Sequence, residues 1–248
     1  MPAVMASDDP SSPELVERAA YDAAYPAVTD AVTLYLWRAP AFLMARWAAR
    51  AGLAPAAVTA VAALLAALAL WLFWSGDYWS GLLGGFAFTL AEVVGTMLAR
   101  CTGSSTRRNE AVVNALNLIV PLLWWWAWEH GLAASDRPLA PVTATMVLWA
   151  IIGGTVAERV IEALFIRRFG GVRIHAWKRI DSQFRLIAAG RNVNLLILAG
   201  SLLLRRPDSG LVLAAGWTIA SVIFHAVRFA QASELAARGR PITSWIEP

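Results

Sequence analysis

The chain has one cysteine, Cys101, which excludes an internal disulfide framework and supplies no thiolate cluster for a metal. Charge is also scarce: 15% of the 248 residues are Asp, Glu, Lys or Arg, against 58% hydrophobic. A soluble domain of this length carries more charge and less apolar surface. Residues 1–30 are polar and acidic, without the basic-then-apolar start of a cleavable signal peptide. What the chain does have is long apolar runs. Several approach or exceed the roughly 20 residues needed to cross a bilayer. Its 13 tryptophans fit the same solvent, because Trp collects at membrane interfaces.

Hydropathy predicts six spans, at 56–74, 79–99, 111–128, 142–166, 186–204 and 211–231. Before them, residues 1–28 read as an acidic, loosely ordered leader, and 29–51 as an amphipathic helix kinked or split at Pro40. Its apolar residues (Val32, Leu36, Trp37, Phe42, Leu43, Trp47) alternate with Arg38, Arg46 and Arg50, which suits a helix lying in the interface. The expected fold is all-α: a single six-span membrane domain over 29–248 plus that N-terminal helix. The loops after spans one, three and five hold only Arg137, Arg205 and Arg206, while most other basic residues fall on the opposite side. The positive-inside bias therefore predicts that both termini are cytoplasmic, in a membrane of the bacterial inner type. Arginines that set topology account for part of this bias; the rest would attract anionic headgroups or phosphorylated ligands.

Ionisable groups inside spans are harder to explain, since a charge at mid-bilayer costs at least a few kcal/mol unless paired or hydrated. Glu92 falls in span two, Glu158, Arg159 and Glu162 in span four, Arg191 with Asn192 and Asn194 in span five, and His225 and Arg228 in span six. Glu158 and Glu162 are one helical turn apart and share a face. They are expected to pair with Arg191 or Arg228 across the bundle, or with Arg159 of another chain, or else to line a polar cavity. A basic segment with interleaved aromatics, Arg173 to Asn194, brings His175, Arg179, Asp181, Arg185 and Arg191 to the mouth of span five. In a membrane bundle this suits phosphate at the membrane surface, and no nucleic-acid partner is expected.

The segment AEVVGTMLARCTGSSTRRNEAVVNALN, Ala91 to Asn117, carries the most specific pattern. It resembles the motif D-x2-D-G-x2-A-R-x8-G-x3-D-x3-D of the CDP-alcohol phosphotransferases, anchored on Ala99-Arg100. The order of features is similar too: LAPAAVT at Leu53–Thr59 leads into span one, and the stretch from Ile174 to Trp245 looks like one branch of that family. The resemblance implies six spans around a cytoplasmic cavity in which carboxylates hold magnesium or manganese against a CDP-linked substrate, an alcohol attacks the β-phosphate and CMP leaves. It also implies a homodimer, for which Gly84, Gly85, Gly153 and Gly154 would permit close helix contact.

The aspartates, however, are largely gone. Glu92 stands at the first position, Gly95 at the second, Val113 at the third and Asn117 at the fourth. Paired dications need hard anionic oxygen ligands, and site charge falls here from about −4 to about −1. A displaced one-metal site of Glu92, Glu110 and Asn117 is the remaining metal arrangement. Phosphate handling survives better: Gly103, Ser105 and Thr106 lead into span three, where Ser105 or Thr106 would cap the helix, and Arg100, Arg107, Arg179, Asp181, Arg185 and Arg191 complete the expected phosphate-binding set. The preferred expectation is a catalytically impaired homologue in phospholipid or headgroup metabolism, binding nucleotide or lipid phosphate, or serving as partner to an active relative. The alternatives are an active transferase with an altered metal site, and a lipid or metabolite transporter.

Overall fold

The computed structural model describes residues 16–246. Among them the fold is all helix, with no strands. Helix α1 is Arg18–Ala24, α2 Arg38–Arg50, α3 Pro55–Trp74, α4 Tyr78–Cys101, α5 Arg107–Ala133, α6 Pro141–Arg168, α7 Arg179–Arg185, α8 Arg191–Leu203 and α9 Pro207–Ala237. A π-helical segment, Val32–Trp37, leads into α2, and a 3₁₀ turn, Ile174–Ala176, precedes α7.

Five helices, α3, α4, α5, α6 and α9, are long and apolar enough to cross a membrane by length and composition. The fifth expected span, 186–204, is the exception. Only Arg191–Leu203 is helical there, 13 residues or about 20 Å of rise, against a hydrocarbon core of about 30 Å. The preceding chain instead makes turn bonds, with Ile187 and Ala188 N–H donating to the Phe184 carbonyl. Ala189 N–H donates to Ser221 Oγ of α9, and Gly190 is extended before the helix starts. The apolar residues Leu186–Ala189 made this stretch look like helix in the hydropathy profile; tertiary bonds took its backbone elsewhere.

The leader expected over 1–28 is described from Val16 onward, and there it carries α1. Residues 1–15 lie outside the described residues. Tyr21 of α1 is fully buried, and its hydroxyl donates to the Arg38 carbonyl, while Tyr25 donates to the Thr33 carbonyl at 2.6 Å. Asp22 receives Arg18 and Arg38, which hold its carboxyl below the ordinary range. The expected disturbance at Pro40 is a π segment immediately upstream. A proline ring crowds the carbonyl four residues before it and offers no N–H, and the wider π turn absorbs both. Leu43, Met44 and Trp47 of α2 remain exposed.

The main core joins α3, α4, α5, α6, α8 and α9. Phe73, Phe88, Trp124, Trp128 and Leu195 are all buried in it, with Phe73 and Tyr78 rings against Trp128 at 5.2 and 4.4 Å. Of the four glycines expected to mediate contact, three are spent inside this chain. A Cβ on Gly84 would meet Ala69 of α3, one on Gly85 would meet Leu195 of α8, and one on Gly154 would lie 2.6 Å from Thr218 of α9. Around Gly153 nothing among the described residues lies within 4 Å.

Candidate functional site

The C-terminal ends of α4, α6 and α9 and the N-terminal ends of α5 and α8 meet at one end of the bundle. Because α8 starts late, space is left there, and Ala188, Ala189 and Gly190 form its rim. The resulting polar cavity measures about 180 Å³. Its walls carry Asn117 of α5, Glu158, Arg159 and Glu162 of α6, His175 of the 3₁₀ turn, Arg185 of α7, Arg191, Asn192 and Asn194 of α8, and His225 of α9. A smaller recess of about 120 Å³ lies against α4, bounded by Glu92, Thr96, Arg100, Asn117 and Arg191. Asn117 and Arg191 face both.

On the α4 side the charges are closed off. Arg191 Nη1 donates to Glu92 Oε2 from across the bundle, and its guanidinium lies over the Phe88 ring at 5.5 Å. Glu92 is buried, so this pair removes the negative charge that the position would offer a cation. Gly95 adds no ligand atom, and a Cβ there would already touch Val58. Asn117 Nδ2 is bonded to the Val113 carbonyl one turn back, at 3.0 Å. Pro121, one turn further on, lacks the N–H that would bond the Asn117 carbonyl, so α5 is locally loosened where it lines the cavity. Glu110 is exposed at the start of α5, accepts the Ser105 hydroxyl at 2.6 Å and lines neither cavity. No group of three or more His, Cys, Asp or Glu placed to hold a metal exists among the described residues. The donor set at Glu92, Glu110 and Asn117 therefore does not fit Mg²⁺ or Mn²⁺: one carboxylate is neutralised by an arginine and the other is elsewhere.

The loop between α4 and α5 is built as a helix-to-helix turn. Gly103 takes φ +61°, the left-handed region that glycine enters cheaply, and Ser104 N–H returns to the Ala99 carbonyl. Of the two expected caps it is Thr106 that acts, its Oγ1 accepting Asn109 N–H at 3.2 Å. Gly103, Ser105 and Arg107 stay outside both cavities. Arg100 lines the smaller recess and donates to the Ala24 carbonyl at 3.0 Å, tying α1 over α4.

On the α6–α9 side the charges are looser. Glu158 Oε1 is 3.3 Å from His225 Nδ1, and Glu162 Oε1 is 4.0 Å from His175 Nε2. The two imidazoles stand edge to face, 5.0 Å apart. The carboxylates of α6 thus line the cavity, one of the two arrangements expected of them, and face histidines there; the arginines expected within the chain are engaged elsewhere, Arg191 by Glu92 and Arg228 by Asp181. Burial, reinforced by Arg185, His225 and Arg173, pushes the His175 pKa well below its ordinary 6.5, so it is neutral at pH 7. Asp181 is fully buried, receives Lys178 N–H and is held by Arg228 through two bonds of 2.5 and 3.0 Å. It is a structural clasp of α7 on α9. Arg179 stands over the Trp245 ring at 6.0 Å, away from the cavity.

Of the expected phosphate-binding set, then, Arg185 and Arg191 reach the main cavity and Arg100 the recess. Asp30 was missed. It is buried, and accepts Thr33 N–H and Oγ1 at 2.9 and 2.8 Å and Asn192 Nδ2 at 3.0 Å, which orients α8 at the cavity rim. The Asp-x-x-Thr spacing was the available signal for its capping role. The chain matches no family model and no curated protein.

Proposed function

We propose that the chain is a membrane protein of CDP-alcohol phosphotransferase type that has given up metal-dependent transfer and kept phosphate binding, acting as a binding or partner subunit in phospholipid or headgroup metabolism. In this reading α8 serves as a sixth, shortened span, α2 lies in the interface, the basic end with both termini faces the cytoplasm, and the chain forms a homodimer or pairs with an active relative. Membrane lipid or a CDP-linked molecule would supply the phosphate.

One observation carries the proposal: Arg191 reaches from α8 to Glu92 and neutralises the single carboxylate left in the degraded aspartate pattern. The pair is neutral overall, so the position no longer offers an anionic ligand to a dication. Arg185 and the remaining N–H groups of Arg191 offer charge-assisted donors to a phosphate, and backbone N–H groups at the start of α8 face the same space. These groups bind and orient; none of them is placed to accept a proton from an attacking alcohol.

The test is purified full-length protein incubated with CDP-alcohols, with and without Mg²⁺ or Mn²⁺, followed for CMP. Retention of nucleotide or lipid phosphate with no CMP is expected. Metal-dependent CMP release that disappears in Glu92→Ala would establish the active transferase instead. Movement of lipid or metabolite across reconstituted vesicles would establish a transporter.

A further inference from the structure

The α6–α9 wall of the main cavity has a feature that anion binding alone does not use. Among the described residues, Glu158 Oε1, Asn194 Oδ1 and His225 Nε2 are buried without a hydrogen-bond partner. All three residues line the cavity. Asn194 and His225 are each only 5% exposed. Unpaired polar atoms in the interior are costly, so a cluster of them marks what a ligand must bring. Glu158 Oε1 and Asn194 Oδ1 are acceptors. His225 Nε2 joins them in the tautomer that places its hydrogen on Nδ1, which lies 3.3 Å from Glu158 Oε1 without completing a hydrogen bond to it. Arg185 and Arg191 on the other side of the same space are donors only.

A ligand complementary to both sides is an anion that also carries a proton. Sulfate and phosphodiesters present oxygen lone pairs in every direction and would set one against Glu158. A phosphomonoester has a second pKa near 6 and can hold a P–O–H that donates. We propose that this cavity selects phosphomonoesters over phosphodiesters and sulfate, with Arg185 and Arg191 taking the unprotonated oxygens and the single P–O–H donating to Glu158 on the wall it shares with Asn194 and His225. The proposal rests on the anion-binding reading above and narrows it: of the phosphate sources named there, phosphodiester lipids and CDP-linked molecules, which carry no second ionisable proton, are excluded from this cavity, and monoesters, a lipid phosphomonoester among them, or inorganic phosphate are admitted.

The experiment is calorimetric titration of the full chain in a phosphate-free maltoside detergent at a pH of about 6, where a phosphomonoester is roughly half protonated. The probes are inorganic phosphate, methyl phosphate, dimethyl phosphate and sulfate. Inorganic and methyl phosphate should bind at least about tenfold more tightly than the other two, because the latter bring no hydrogen and set an oxygen lone pair against Glu158. Glu158→Gln, whose amide can donate, should bring sulfate and dimethyl phosphate to within about threefold of methyl phosphate. Equal binding of all four probes by the unaltered chain overturns the selectivity and leaves anion binding standing. Binding of none overturns both. Full discrimination retained in Glu158→Gln also overturns the assignment of Glu158. The first comparison uses the unaltered chain, so misfolding of the variant does not shield the proposal.

Discussion

The two walls of the cavity handle buried charge in opposite ways. On the α4 wall a carboxylate is closed by an arginine brought from another helix, and the neighbouring polar group, Asn117, is bonded to its own helix. On the α6–α9 wall two carboxylates stand beside two histidines at 3.3 and 4.0 Å, and several polar atoms are left without partners. The first arrangement pairs its charges directly, with Glu92 Oε1 alone of that pair left without a hydrogen-bond partner; the second leaves both carboxylate–histidine contacts loose. The difference teaches that the buried charges divide into those the fold has paired, Glu92 with Arg191 and Asp181 with Arg228, and those it leaves loosely met, Glu158 and Glu162 beside His225 and His175.

The largest effect should come from breaking the closed wall. Arg191→Met leaves Glu92 buried and unpaired, at a cost of about 3–5 kcal/mol, read as a lower thermal midpoint in detergent. Glu92→Leu combined with Arg191→Met should recover most of that loss, since replacing both partners removes the stranded charge. A double variant no more stable than Arg191→Met would mean that the arginine matters for something other than the pair.

Acid should sharpen the contrast at the open wall. His175 is held neutral, with its folded pKa below the ordinary 6.5. Above that value the imidazole is neutral in folded and unfolded chains alike, and its full contribution is present. As the pH falls below it, the unfolded chain takes the proton first, and stability drops until the folded pKa is passed. The thermal midpoint should therefore decline from about pH 6.5 downward, with the slope reduced in His175→Gln. An unchanged slope in that variant would place the acid sensitivity elsewhere.

Smallest of all should be the effect of Glu158→Gln on stability, below about 1 kcal/mol, because its contact with His225 does not complete a hydrogen bond. This is where the walls should part most clearly: a near-silent change in thermal midpoint beside a large change in anion preference. A loss comparable to that of Arg191→Met would show that both walls are structural.

Much of the architecture was legible in the sequence. Continuous apolar runs in a chain this poor in charge can fold only as helices that bury their backbone polarity, so α3, α4, α5, α6 and α9 appeared near their hydropathy limits. The boundary of α8 was not legible, because the bonds that hold Leu186–Gly190 out of the helix come from Ser221 and Phe184. Hydropathy sees composition but not such tertiary bonds. The site was legible as an inventory: Glu92, Glu158, Glu162, Arg191 and His225 all stood out as charges inside apolar runs. Their pairing was not, because helix rotation decides which of several cationic neighbours a carboxylate meets. The cap at Thr106 was one of the two the segment offered, whereas Asp30, which ties the chain ahead of the π segment to α8, depends on local spacing that a hydropathy reading passes over.

The late start of α8 also bears on the lipid. With α8 as the sixth span proposed above, a 13-residue helix beside neighbours of 24 to 31 residues creates a mismatch on one flank of the bundle. Either the bilayer thins there or water fills the difference, and both place the first turn of α8 near headgroup depth. Arg191 and Asn194 are then members of a dent in the membrane rather than charges forced into oil, and the insertion penalty that hydropathy assigns to them largely disappears.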